Sequence, residues 1–226
     1  MMNTIGKSPA LQSRIVQPII SMAREVESMI DLAIESLLSF NVEMAGAILQ
    51  KEPAINTTEM KIDSAIFAVL EKGDLTLQEI RQAASMLKIN KDLERMADLA
   101  ANIGRKINSL AGRGKPQDYS ELQPMAIAVS HISRKTLRAL IHGDQVLAAN
   151  AVGGGATVDF YRDYVFRKLQ ERVKPGSESP GDINLMLASR YLEQIADHSV
   201  NVAGHLIFWL DGRKTGDRPC RQAVAV

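Results

Sequence analysis

Two matching pairs of carboxylates are the residues of this sequence whose types and spacing favour metal chemistry. Glu94 and Asp98 lie four residues apart in the first half of the chain, and Glu193 and Asp197 repeat that spacing in the second half. Residues four apart share one face of a helix, so the two carboxylates of each pair repel each other. A hard cation with oxygen ligands would turn that repulsion into coordination.

Two further acidic pairs have the same spacing. Glu59 and Asp63 precede the first pair, and Asp159 and Asp163 precede the second. If each preceding helix packs antiparallel to the helix that follows it, the two pairs face each other. Each half of the chain would then present up to four carboxylates, which is enough for one multinuclear metal centre.

The place of Asp159 and Asp163 in this pattern has two interpretations. A shift of 100 residues aligns them with Glu59 and Asp63, whereas a shift of 103 residues aligns Arg162 with Glu59. The sequence leaves both alignments open. The pair formed by Asp159 and Asp163 is therefore the weakest candidate of the four.

Acidic spacing of this kind is also typical of a solvated or salt-bridged helix face, which is the competing interpretation. Glu27, Asp31 and Glu35 have the same spacing, and we expect them to face solvent. The sequence contains no Glu-x-x-His motif, the ligand pattern of ferritin-like di-iron bundles. We expect His198 to be a packing or surface residue and His205 to be a secondary candidate for an outer metal ligand.

Apolar residues at three- and four-residue steps predict helices along the chain, and no segment has the alternation of a strand. The predicted fold class is therefore all-α. Asn41 and Thr76–Glu79 have the residue types of helix N-caps, and Gly153–Gly155 interrupts the fifth helix. The predicted helices run from Pro9 or Pro18 to Phe40, from Val42 to about Glu71, from Thr76 to about Ala111, from Ser120 to Ile141, from Asp144 to near Val173, and from Asp182, as the N-cap, to Gly212.

The third and sixth helices carry copies of one motif, which predicts an internal duplication. Lys91–Asp98 recurs as Arg190–Asp197, and each copy is followed four residues later by an asparagine, Asn102 or Asn201. Gly112–Asp118 has the composition of a linker between the two copies. The sequence predicts two tandem three-helix repeats, over residues 8–112 and 119–212, followed by a disordered tail over 213–226.

Composition and charge exclude several classes of protein. The 226 residues include 27 Lys and Arg against 26 Asp and Glu, and this balance excludes nucleic-acid binding through bulk positive charge. The single cysteine, Cys220, excludes a disulfide framework and a cysteine zinc site within one chain. Apolar runs are too short for a membrane span and no secretory signal is evident. We expect a cytoplasmic protein that meets a membrane only through a partner.

The segments that contain the acidic pairs resemble the PhoU family of phosphate-uptake regulators. The resemblance rests on Leu93–Asp98, Arg190–Ala203, Ile55–Asp63 and the ending Ile207–Gly212. It implies two three-helix bundles side by side, with iron, zinc or other divalent or trivalent metal ions bound in multinuclear clusters. The ligands that it implies are Glu59, Asp63, Glu94, Asp98, Asp159, Asp163, Glu193 and Asp197.

The resemblance also implies a regulatory role and no catalytic activity. Proteins similar to this one are cytoplasmic and often form homodimers. They lower phosphate import through the high-affinity phosphate ABC transporter, whose ATPase subunit is an expected partner. They also help to keep the associated sensor histidine kinase, a second expected partner, in its repressing state.

The second half departs from the family pattern at two places. Gln194 replaces the arginine that usually follows the motif glutamate, and Gly153–Ala156 replaces residues that are commonly acidic. We therefore expect a poorer metal cluster in the second half. A carboxylate-bridged, metal-dependent enzyme and a metal-free helical adaptor are the alternative functions.

Overall fold

Helices form nearly all of the protein that this computed structural model describes, which is residues 12–111, 120–172 and 180–212. No strand occurs within those ranges, and the all-α prediction is confirmed. The α-helices are α1 (Gln17–Ser39), α2 (Val42–Leu70), α3 (Leu77–Ala111), α4 (Gln123–His142), α5 (Gln145–Val152), α6 (Gly155–Arg172) and α7 (Pro180–Asp211). A short π-helix, Gln12–Val16, precedes α1, and a 3-10 helix, Ser120–Leu122, precedes α4. Within the described ranges, none of these helices is both long and apolar enough to cross a lipid bilayer.

Local hydrogen bonds fix the starts of two predicted helices. The Asn41 side chain accepts a hydrogen bond from the Met44 N–H at 3.0 Å and caps α2. Before α3, the Thr76 N–H donates to the Glu79 carboxylate at 2.9 Å, and the Glu79 N–H donates to Thr76 Oγ1 at 3.3 Å. This reciprocal pair is a capping box. Both predicted N-caps are confirmed.

The fifth predicted helix is divided into two at its glycines. Asp144 caps α5 by accepting a hydrogen bond from the Leu147 N–H at 2.9 Å, and α5 is only 8 residues long. A Cβ atom at Gly154 would lie 2.7 Å from Ile132 Cγ1, so glycine allows α4 to pack closely against the break. The predicted interruption is confirmed, and the segment from Asp144 to Val173 contains two helices rather than one loosened helix.

The last helix begins earlier than predicted. α7 starts at Pro180, because proline in the first turn of a helix gives up no backbone hydrogen bond. Asp182 lies inside that first turn, and its predicted role as the N-cap is wrong. Gly212 follows the end of α7 with a φ of 74°. The predicted linker over 112–118, most of the loop before α7, Cys220 and the tail over 213–226 lie outside the described residues.

Two sets of helices pack around one continuous apolar core. In the first half α3 packs against α1 and α2, and in the second half α7 packs against α4, α5 and α6. The halves meet where α3 packs against α7 and where α1 packs against α4. Leu93 of α3 and Leu192 of α7 are fully buried at matching positions of the duplicated motif. Burial of such a side chain contributes about 1.5–3 kcal/mol, so the core fixes which faces of α3 and α7 remain outside.

Candidate functional site

The predicted ligands of the first half line one surface of α2 and α3, here called the first acidic face: Glu59, Asp63, Glu94 and Asp98. Lys91 Nζ lies 2.9 Å from Glu94 Oε2 and 3.7 Å from Glu59 Oε1. The side chains of Glu59 and Glu94 are 14% and 20% exposed, whereas that of Lys91 is 68% exposed. The hydrogen bond to Glu94 raises the pKa of Lys91. The structure therefore brings one carboxylate from each helix to a shared ammonium group.

Asp63 is held by a buried amide rather than by a cation. Asn90 Nδ2 donates to Asp63 Oδ1 at 2.8 Å and to the Glu59 carbonyl oxygen at 2.9 Å. Asn90 Oδ1 is buried and has no hydrogen-bond partner among the described atoms. A buried acceptor without a partner costs about 1–3 kcal/mol. A cation or a proton donor near this oxygen would remove that cost.

Asp98 lies among arginines at the other end of the first acidic face. Arg95 Nη1 donates to Asp98 Oδ2 at 2.5 Å, and Arg105 Nη1 lies 3.9 Å from Asp98 Oδ1. Arg105 also pairs with Glu52 of α2, and this hydrogen bond raises the pKa of Arg105. Glu52 was not among the predicted ligands, although it lies two helical turns before Glu59 and therefore on the same side of α2.

The predicted ligands of the second half lie on α6 and α7, on a surface here called the second acidic face: Asp159, Asp163, Glu193 and Asp197. The guanidinium group of Arg162 lies among these carboxylates. Arg162 of α6 donates to Glu193 at 2.7 Å, to Asp163 at 2.8 Å and to Asp159 at 3.3 Å. Glu193 is only 8% exposed and accepts a second hydrogen bond from Arg190 at 2.8 Å. The bonds to Glu193 and Asp163 raise the pKa of Arg162.

Asp197 has no hydrogen bond or ion pair among the described residues, unlike its three neighbours on the second acidic face. Loss of hydration raises the pKa of its carboxyl group, and the negative charges of Glu193 and Asp159 act in the same direction. The ionised form of Asp197 is therefore less stable in the folded protein than in the unfolded chain.

Burial decides which alignment relates α2 to α6. A shift of 103 residues pairs buried positions with buried positions: Ile55 with Val158, Ile62 with Val165, and Ile66 with Leu169. The same shift relates the N-caps Asn41 and Asp144. A shift of 100 residues instead pairs fully buried Ile66 with Phe166, which is 49% exposed. The shift of 103 residues is therefore the structural one, and Arg162 stands in the place of Glu59.

The remaining acidic residues of α6 have no acidic counterparts on α2. In the structural alignment, Asp159 matches Asn56 and Asp163 matches Met60, while Phe166 takes the place of Asp63. The two acidic faces therefore share only the carboxylates of the duplicated motif on α3 and α7. Their α2 and α6 sides arose from different positions of the repeat.

The two faces differ in how their chemistry fits a metal ion. Within the described ranges, no three side chains of His, Cys, Asp or Glu converge closely enough to hold one. On the first acidic face the donors are carboxylate oxygens, an exposed ammonium lies between two of them, and Asn90 leaves a buried oxygen unpaired. This donor set fits a hard cation or zinc in place of Lys91. The second acidic face does not fit one, because Arg162 already lies among its carboxylates.

A separate polar contact joins the two halves. His198 Nδ1 lies 2.8 Å from Asp92 Oδ1, and His205 Nε2 lies 3.5 Å from Asp92 Oδ2. Loss of hydration lowers the pKa of His205, and the charge of Lys88 adds to that effect while Asp92 opposes it. His205 was predicted as a secondary candidate for an outer metal ligand, and its contact with Asp92 was not predicted. The signal was the seven-residue spacing of the histidines, which places both on one side of α7.

Comparisons with known proteins agree with this architecture. The family model of the PhoU domain matches residues 19–107 and 122–206. The chain is 28% identical over 199 residues to the phosphate-specific transport system accessory protein PhoU homolog of Pseudomonas aeruginosa, covering 86% of this chain and 81% of that protein. It is 27% identical over 184 residues to the corresponding PhoU homolog 1 of Thermotoga maritima, covering 80% and 79%.

Solved structures show the same arrangement of helices. The crystal structure of PhoU from Pseudomonas aeruginosa matches with a TM-score of 0.82 at 25% identity, covering 87% of this chain and 95% of that chain. The phosphate transport system regulatory protein PhoU from Streptococcus pneumoniae shares the fold, with a TM-score of 0.78. The family model spans both repeats and well over half of the sequence, and the chain belongs to the PhoU family.

Proposed function

We propose that this chain is an accessory regulator of a phosphate-specific transport system. The observation that carries the proposal is the match of the PhoU domain to both halves, together with relatives whose names describe phosphate-transport accessory proteins. The chain lowers phosphate import by binding the ATPase subunit of the transporter, and it keeps the associated sensor histidine kinase in its repressing state. It acts in the cytoplasm as a homodimer, and its role requires no catalytic step.

We further propose that the first acidic face binds iron or zinc. Glu59 and Glu94, which share Lys91, are its first carboxylate ligands, and Asp98 joins them when its side chain turns away from Arg95 and Arg105. Asp63 is hydrogen-bonded to Asn90, whose unpaired oxygen lies on the same face. The metal would supply a cross-link of oxygen ligands between α2 and α3. A metal ion can replace Lys91 there, because the ammonium group is exposed and its ion pairs with the two carboxylates contribute little stability.

The charged groups of the first acidic face also suit regulation by contact. Lys91, Arg95 and Arg105 lie against the carboxylates at a surface where each cation is 44–68% exposed. Exposed ion pairs of this kind are weak, typically about 0–1 kcal/mol. A metal ion or a charged surface of a partner can therefore replace them without disrupting the core beneath.

The test is phosphate uptake in cells that lack this protein. Cells are complemented with the wild-type chain, with Glu94→Ala plus Asp98→Ala, or with Glu35→Ala plus Glu71→Ala, a control that removes two exposed carboxylates elsewhere. We expect the wild type and the control to lower uptake of radiolabelled phosphate and to silence a phosphate-starvation reporter. In cells with Glu94→Ala plus Asp98→Ala, phosphate uptake and reporter expression should both stay high. Uptake that does not respond to the wild-type chain would overturn the proposal.

A further inference from the structure

The position that carries Glu59 in the first half carries the opposite charge in the second. In the structural alignment Glu59 matches Arg162, whereas Glu94 matches Glu193 through the duplicated motif. The carboxylate that would face Glu193 across the two helices is thus replaced by a guanidinium. In the first half two carboxylates share the exposed ammonium group of Lys91, whereas in the second half one of the two positions is itself a cation.

Arg162 is bonded to three carboxylates from two helices. Its planar group donates to carboxylates of both α6 and α7, at 2.7 Å to Glu193 and 2.8 Å to Asp163. Asp159 adds a third contact at 3.3 Å. Guanidinium groups suit such sites because they stay charged and present several donors in a fixed plane.

The comparison with Lys91 shows why the two faces respond differently to an external cation. Lys91 is 68% exposed and lies 2.9 Å from one carboxylate and 3.7 Å from another. Arg162 is 36% exposed and is bonded to a glutamate that is only 8% exposed. Displacing Arg162 would leave Glu193 with Arg190 alone in a poorly hydrated position, which is unfavourable.

We propose that Arg162 is a built-in cation that closes the second acidic face, so that this chain binds metal in its first half alone. The inference rests on the proposed metal binding of the first acidic face. It assigns the two halves different tasks, because only the first half can change its charge when metal is gained or lost. The second half keeps a fixed charge and a fixed link between α6 and α7.

The test is the number of Zn²⁺ ions that each variant retains. The full chain is loaded with Zn²⁺, desalted and measured by elemental analysis. We expect Glu94→Gln plus Asp98→Asn to remove the bound zinc and Glu193→Gln plus Asp197→Asn to leave it unchanged. Arg162→Glu should gain at least one ion per chain. Arg167→Glu, an equal change of charge at an exposed site of the same helix, should gain none.

The outcomes separate this inference from the proposed metal binding of the first half. Zinc that is lost from the variant of Glu193 and Asp197 would overturn the inference and leave the first-half site standing. An Arg162→Glu protein that gains zinc when the wild type holds none would support the role of Arg162 as the cation that closes the second acidic face, and it would refute the first-half site. A folded Arg162→Glu protein that gains nothing would overturn the inference. If circular dichroism shows that Arg162→Glu does not fold, the zinc contents of the two double variants decide: loss from the first-half variant alone supports the inference, and loss from the second-half variant overturns it.

Discussion

The two halves of this protein share a core but not a surface chemistry. Leu93 and Leu192 occupy matching buried positions, and Glu94 and Glu193 follow them at the edge of each bundle. Across from those glutamates, α2 presents Glu59 and α6 presents Arg162. A duplicated fold therefore keeps its apolar pattern while one partly buried position changes the sign of its charge. For α2 and α6, the pattern of buried residues, rather than the acidic residues, shows which positions of the two repeats correspond.

The strongest test of the shared core is a pair of equivalent truncations. Leu93→Ala and Leu192→Ala each remove a fully buried side chain, and each should lower the free energy of unfolding by about 2–5 kcal/mol. Urea denaturation followed by circular dichroism measures both. Two losses of similar size support the equivalence of the halves. A large loss of unfolding free energy in only one of the two variants would contradict that equivalence.

The contrast between the faces predicts unequal losses when their cations are removed. Arg162→Ala leaves Glu193 buried with one partner fewer, so we expect a loss of about 1–3 kcal/mol. Lys91→Ala removes an ion pair whose ammonium group is 68% exposed and should cost about 0–1 kcal/mol. Both are measured by urea denaturation in the presence of a chelator. Equal losses would show that Arg162 and Lys91 contribute equally to stability, and they would contradict the contrast between the two faces.

The alignment by 103 residues predicts matched effects at the two N-caps. Asn41→Ala and Asp144→Ala each remove the side chain that accepts a hydrogen bond at the start of a helix, and each should cost about 1 kcal/mol. Thermal unfolding of the two variants measures this. Asn41→Asp serves as the control, because aspartate caps as well as asparagine does. If one of the two alanine variants is as stable as the wild type, the two residues are not equivalent caps, and the alignment by 103 residues loses that support.

The smallest predicted effect concerns Asp197 and depends on pH. Its pKa is raised in the folded protein, so the folded state binds more protons than the unfolded chain as the pH rises from the ordinary value of 3.8. The stabilising contribution of the protonated form is lost as the pH rises through the folded pKa. Asp197→Asn should therefore raise the melting temperature slightly at pH 7, by less than any of the changes above, because solvent screens the exposed carboxylate. The gain should vanish below the ordinary pKa, and a gain that persists there would contradict the assignment.

Helices, caps and duplication could be read from the sequence because they depend on local patterns. Asn41 and the Thr76–Glu79 box act through hydrogen bonds within four residues, and the structure confirms both. Pro180 displaced Asp182 as the start of α7, since several residues near a helix end compete for the same role. Gly153–Gly155 was recognised as a weak point. The packing of Ile132 on Gly154, which makes it a complete break, is a tertiary contact.

The chemistry of the faces was harder to predict because it depends on the alignment of two helices across a bundle. The sequence allowed two alignments of α2 with α6. The acidic residues favoured the wrong one, the shift of 100 residues, which aligns Asp159 with Glu59. The apolar residues Ile55 and Val158 carried the better signal, since burial constrains them more strongly than solvent constrains a surface aspartate. Asp92 and His198 meet only because α3 packs against α7, and no local pattern encodes that contact.

The most direct measurement of the central claim is anomalous X-ray diffraction from crystals of the wild-type protein soaked in Zn²⁺. We expect anomalous density on the first acidic face, among Glu59, Glu94 and Asp98, and none beside Arg162. Density between Glu193 and Asp159, with the guanidinium displaced, would contradict it. That result would show that both halves bind metal despite the change of charge at one position of the repeat.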